Sequence, residues 1–290
     1  MWALLAGAAL AVAVTYSRIA PERLYNVDEG GGAGGLGRAL VFLNYPVTLV
    51  AIAIAVVAAR RLGGRRAGAV AALAVALCLL VGWPGVVEES DLDAKPVNAL
   101  PAAGVLLAVV LTFRAARSRG LGAPPRSARW DRARVALAAV IVAASVPWIA
   151  AELGFSPDLE PVFLTGEPRP EPGHPDLVAV HLGHHHGTDG ALLALSALAL
   201  SRELPRFRPR ARELLGGYLA LMLVYGLANA LQDFWLEQLV KRGATSFELP
   251  SMLRPTLSPA WGALLAAALA IHLAVTRVGR FRRARTGGAT

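Results

Sequence analysis

The segment His181-Leu-Gly-His184-His185-His186-Gly-Thr-Asp189 holds four of the six histidines in this 290-residue chain. Imidazole nitrogens and a carboxylate are the donors that a first-row divalent cation takes, with positions left open for water or substrate. On a helix advancing about 100° per residue, His181, His185 and Asp189 share one arc of about 80°, and His184 lies about 60° to the other side of His181. His186 points elsewhere. The spacing predicts a divalent metal site, zinc or iron, with His181, His184, His185 and Asp189 as ligands. The plainer alternative is a group of solvated histidines capping a helix end. A bound ion would polarise a substrate oxygen or acidify a water, and Glu152 and Asp233 are the candidate catalytic bases.

Other polar groups recur at the same level. Tyr225, Asn229, Asp233 and Glu237 are four residues apart and form one helical stripe. Asn44-Tyr45-Pro46 and Asn98 fall inside or at the start of apolar runs, and Pro46 frees a backbone carbonyl there. Asn44, Asn98, Tyr225 and Asn229 are expected to support the ligands or touch substrate. For any one of these residues alone, interhelical hydrogen bonding is the simpler reading. Their common depth predicts a shared cavity. Gly183, Gly187 and Gly190 weaken the helix that carries the histidines, and His272 is expected to make only local hydrogen bonds.

The elements that must position these groups follow from composition. The chain is 55% hydrophobic and 17% charged with mean hydropathy +0.50, whereas soluble domains carry about 25% charged residues. An ordinary soluble fold is excluded. The single Cys78 excludes an intramolecular disulfide framework and any multi-thiolate metal site. Apolar runs long enough to cross about 30 Å of hydrocarbon lie near 2–20, 39–59, 67–87, 98–116, 134–152, 177–201, 213–236 and 259–276. The expected fold is one all-α polytopic transmembrane bundle of eight spans, forming a single domain over residues 1–290. Residues 2–20 lack a basic flank and a clean cleavage site, so they are taken as a retained span.

Charge placement sets the expected orientation. With both termini in the cytoplasm, 21 of the 29 basic residues lie inside, while 17 of the 20 acids lie elsewhere. The positive-inside rule favours that arrangement, and Trp83, Trp148, Trp235 and Trp261 then fall near outer helix ends. The pI of about 10.7 is therefore a matter of topology, and nucleic acid is not an expected partner. Asp189 would sit about 16 Å above the inner boundary and His185 about 22 Å. At that depth a carboxylate costs about 2.5–3.5 kcal/mol unless it faces the bundle interior or water. Arg in place of Lys at 27 of the 29 basic positions, with abundant Ala and Gly, points to a GC-rich bacterial genome and so to a bacterial inner membrane.

Several motifs carry less. Gly32-Ala-Gly34-Gly-Leu-Gly37 matches a dinucleotide fingerprint without a surrounding βαβ unit, and is expected to be a flexible loop. Residues 153–176 contain six prolines and predict an extended crossing. Glu88, Glu89, Asp91 and Asp93 would attract cations, or hold a diphosphate through a metal as acidic pairs do in lipid-linked sugar transferases, although such a run is more often a solvated loop. His181-x-x-His184-His185 resembles one histidine box of the membrane fatty-acid desaturases. That resemblance covers five residues; the family uses several cytoplasmic boxes to hold two irons, so its activity is not carried over. The Gly-interrupted sixth span resembles the broken helix of a transporter substrate site. Three functions stay open: an outward-facing metal-dependent enzyme on a lipid or envelope substrate, a transporter of a metal ion or small solute, and a non-catalytic scaffold or partner subunit.

Overall fold

The computed structural model describes residues 1–21, 27–88, 91–118, 128–152 and 186–286, and among them every regular element is helical. The helices are α1 (Trp2–Tyr16), α2 (Gly31–Phe42), α3 (Thr48–Leu62), α4 (Gly64–Leu79), α5 (Ala99–Arg117), α6 (Ala128–Glu152), α7 (His186–Leu200), α8 (Pro209–Trp235) and α9 (Pro259–Thr286). Helix falls within each of the eight apolar stretches predicted. Among the described residues, four continuous segments are long and apolar enough to cross a membrane: Gly31–Leu62, Gly64–Gly82, Pro96–Arg117 and Pro209–Val240. This is the architecture of a helical membrane protein.

Helix α3 forms the centre. Val50, Ala51, Ile52, Ala53, Ile54, Ala55, Val57 and Ala58 are all buried, so the helix is enclosed on every side rather than amphipathic. It packs on α4 and α5, and α7 pairs with α8. Small residues allow the close crossings. A Cβ at Gly190 would stand 2.4 Å from the Gly226 carbonyl oxygen, and one at Gly226 would stand 2.5 Å from the Gly190 oxygen. The two helices therefore touch backbone to backbone, as apolar spans do when packing rather than hydrophobicity drives association. Gly190 is thus a packing residue within a continuous helix.

The segment expected to be a flexible glycine loop is helix α2. Gly34 and Gly35 are buried where a Cβ would come within 2.1 Å of Glu29 O and 2.3 Å of Ala13 O. Glycine costs about 1 kcal/mol relative to alanine in a helix, and here the close approach to α1 offsets that cost. The second span consequently begins at 31 rather than 39. Between α2 and α3 the chain makes a π-helical turn, Leu43–Val47, around Pro46, which has no N–H to donate to the preceding turn. A second π turn, Leu236–Val240, extends α8.

Arginines gather at one end of the bundle, where they bind its few acids. Glu203 bridges Arg61 at 2.7 Å and Arg206 at 3.0 Å, and Asp131 meets Arg134 at 3.0 Å and Arg202 at 3.5 Å. At the opposite end the acidic loop is tied to the protein. Lys95 meets Asp91 at 3.1 Å and Glu88 at 3.3 Å, and Asp93 accepts the backbone N–H of Asp28 and Glu29. These carboxylates raise the Lys95 pKa, Asp91 first and then Glu88. The predicted cation-attracting run is therefore largely structural; Glu89 lies outside the described residues.

Candidate functional site

A cavity of about 590 Å³ opens at the end opposite the arginines. Its mouth is formed by the turn from Val81 to Glu88, by Leu253-Arg254-Pro255 and by the start of α7. Arg38 and Phe42 of α2, Tyr45 of the π turn, and Tyr218, Leu221, Met222 and Tyr225 of α8 line it further in. Tyr218 lies about 14 Å along α8 from Pro209 and Tyr225 about 24 Å, so the cavity reaches the middle third of a 30 Å core. The deep wall is mostly apolar, with Leu49, Leu221 and Met222, and the ionisable groups Arg38, Glu88, His186, Asp189 and Arg254 stand towards the mouth.

Hydrogen bonds hold the wall in shape. The Tyr225 hydroxyl donates to the Leu253 carbonyl at 2.8 Å, which leaves its oxygen to accept from Tyr45, and the two phenols are directly hydrogen-bonded. One chain of bonds thus joins the π turn, α8 and the loop before α9. The same loop is pinned by Met252 N–H to Gln232 Oε1 at 3.2 Å and by Trp235 Nε1–H to Phe247 O at 2.7 Å. Tyr218 donates to Leu49 O at 2.7 Å, tying α8 to α3. A π turn offers Tyr45 a direction that an α-helical register would not, and such turns recur at functional sites.

The predicted site residues separate into three groups. Asp189 and Tyr225 line the cavity. Asn44, Asn98, Asn229 and Asp233 do not line it but are buried and brace it. Asn98 donates to Val86 O at 2.5 Å and to Asn44 Oδ1 at 3.4 Å, and accepts from Lys95 N, so the amide pair fastens the mouth turn to the π turn. Asn44 donates in turn to Leu40 O at 2.9 Å. Asp233 Oδ2 accepts the Gly187 N–H at 2.7 Å, which places a carboxylate on the first turn of α7, where the helix dipole favours it. Asn229 donates to Tyr225 O at 2.9 Å while its Oδ1, in a residue only 2% exposed, has no partner among the described residues. The whole predicted stripe, Glu237 included, is buried.

His181, His184 and His185 lie outside the described residues, as does the proline-rich stretch, and Glu152 is described only as the last residue of α6. Among the described residues no three His, Cys, Asp or Glu side chains come together as a metal site. His186 corrects the helical-wheel expectation, since it lines the cavity with Asp189. In the helix that begins at His186 the two residues are three positions apart, about 60° around the axis, so both can reach one wall. His272 packs over Gly216, where a Cβ would be 3.3 Å from the ring.

Comparison with protein-family models, curated proteins and solved structures returns no match for this chain. The chemistry of the site must be argued from its own residues. Sequence reasoning missed Arg38, Arg254 and Trp261 on the wall. Arg38 carried a usable signal, because an arginine within a membrane span is costly and marks function. It was hidden by starting the second span one residue after it.

Proposed function

We propose that this is a bacterial inner-membrane protein of eight passes with both termini cytoplasmic, which admits a lipid or cell-envelope substrate to a cavity facing outwards. The observation that carries the reading is the cavity of about 590 Å³ with an apolar interior and a charged mouth. That volume is in the range of sites enclosing a small ligand, and its polarity gradient suits an amphiphile. The orientation rests on the arginines, which crowd the end opposite the mouth. A zinc or iron ion held by Asp189 with His181, His184 and His185 is part of the proposal. Its support is that Asp189 reaches the cavity wall immediately after the histidine run in sequence. Such an ion would supply Lewis acidity to the substrate head. Asp233 would contribute by fixing the first turn of α7, and with it the direction of Asp189.

Native mass spectrometry of the full chain released from its own membrane tests the reading. Wild type should carry an amphiphile that Leu221→Trp, which fills the apolar wall, excludes. Absence of a bound amphiphile in wild type, or an identical bound set in a folded Leu221→Trp protein, would overturn it.

A further inference from the structure

We infer that the cavity recognises an anionic head, a phosphate ester on a hydrocarbon chain, through Arg38, Arg254 and the indole N–H of Trp261. This deepens the amphiphile reading and rests on it. Arg38 projects from α2 beside the deeply buried Tyr16, its guanidinium 5.5 Å from the ring centroid, so its position is fixed by a cation–π contact. Arg254 approaches from the loop before α9 and makes no ion pair among the described residues. That loop is held by the Tyr225 and Gln232 contacts at Leu253 and Met252, so the cation is presented on a fixed strand of chain.

Trp261 supplies an independent sign of a ligand. Its Nε1–H is buried on the same wall with no acceptor among the described residues, while its ring leans on Tyr225 with centroids 5.7 Å apart. A buried donor without a partner is costly, and a ligand oxygen would satisfy it. Of the two wall carboxylates, Glu88 is already met by Lys95, and Asp189 belongs to α7, three residues beyond His186. The Arg254 guanidinium, which has no ion pair among the described residues, and the unpaired indole donor therefore await acceptor oxygens, and Arg38 adds a second positive charge to the same wall. A tetrahedral oxyanion presents several at once and takes charge-assisted bonds from arginine. Inward of these donors the wall turns to Phe42, Leu49, Leu221 and Met222, which cannot solvate a free ion but can enclose a chain. The combination selects an esterified phosphate over inorganic phosphate, and over a neutral alcohol of the same length.

The full chain, reconstituted in zwitterionic lipid discs, can be titrated with octyl phosphate, octanol and inorganic phosphate, following fluorescence of the wall tryptophans. Octyl phosphate should bind at least tenfold more tightly than octanol, and inorganic phosphate should not saturate the signal. Arg254→Ala removes an exposed side chain and keeps the fold; it should weaken octyl phosphate about 10- to 100-fold and leave octanol unchanged. Arg38→Ala should do the same, and Arg208→Ala at the far end should change nothing. Equal binding of octyl phosphate and octanol, or unchanged octyl phosphate affinity in Arg254→Ala and Arg38→Ala, overturns phosphate recognition while the amphiphile reading stands. Inorganic phosphate binding as tightly as the ester overturns the requirement for a chain. Binding of neither amphiphile overturns this inference together with the reading beneath it.

Discussion

Substituting Gly190 by alanine perturbs the cavity through its frame rather than its wall. The added Cβ would lie 2.4 Å from Gly226 O and 2.9 Å from Ala230 N, both backbone atoms of α8 that no side-chain rotation can move. Restoring an ordinary C···O approach of about 3.3 Å requires α7 and α8 to separate by about 0.9 Å. Overpacking of this kind costs about 1–3 kcal/mol. Gly217→Ala is the matched control, because its Cβ meets nothing within 4 Å and alanine is the better helix former by up to about 1 kcal/mol. The two variants should move in opposite directions in reversible unfolding in mixed micelles. Gly190→Ala combined with Gly226→Ala should cost less than the sum by about 1 kcal/mol, since one separation relieves both clashes. Separation also shifts Asp189 and His186 relative to Tyr225, so bound amphiphile should fall in parallel. Gly190→Ala as stable as Gly217→Ala would refute the backbone contact.

Asp233→Asn should destabilise the protein by about 1–2 kcal/mol by weakening the bond to Gly187 N–H, with hydrogen exchange rising first at the start of α7. Tyr225→Phe removes the donor to Leu253 and the acceptor for Tyr45, and should expose residues 244–258 to limited proteolysis. Glu203→Gln leaves Arg61 and Arg206 without their shared carboxylate and should cost about 1–2 kcal/mol, less than a fully buried pair because Arg61 is partly wet. The raised Lys95 pKa means that its tie to Asp91 and Glu88 is complete below the ordinary lysine range and is lost as pH rises through the raised value. Exchange in residues 85–98 should therefore quicken only in strongly alkaline buffer, and Lys95→Met should show that faster exchange already at neutral pH. For the proposed ion, metal analysis of Asp189→Asn should show at least tenfold less bound zinc or iron than wild type, and equal loading would remove Asp189 from the ligand set.

The positions of the helices were legible because hydropathy over 20 residues and the arginine distribution report directly on the solvent each segment meets. The stripe from Tyr225 to Glu237 was legible for the same reason, since four-residue spacing survives as one buried face. The π turns at 43–47 and 236–240 were not, because a single extra residue in a helical turn is decided by packing against distant elements. Helix α2 was misread because glycine propensity is local, whereas the close contact of Gly34 and Gly35 that favours the helix is made across the chain. Asn44, Asn98 and Asp233 were correctly placed inside, but polarity at a given depth does not separate a wall residue from one bracing the wall. Arg254 lies in an irregular loop, where no periodicity indicates direction.

The central claim is an outward-facing cavity that an amphiphile enters, and thiol chemistry at its wall tests it most directly. The only native thiol, Cys78, is fully buried, so His186→Cys supplies one reactive group on the wall. In intact cells a membrane-impermeant maleimide should label His186→Cys from outside, and octyl phosphate should slow that labelling, while Arg65→Cys at the opposite end should label only after permeabilisation. Labelling of His186→Cys only after permeabilisation, or at a rate the amphiphile does not change, would contradict the account.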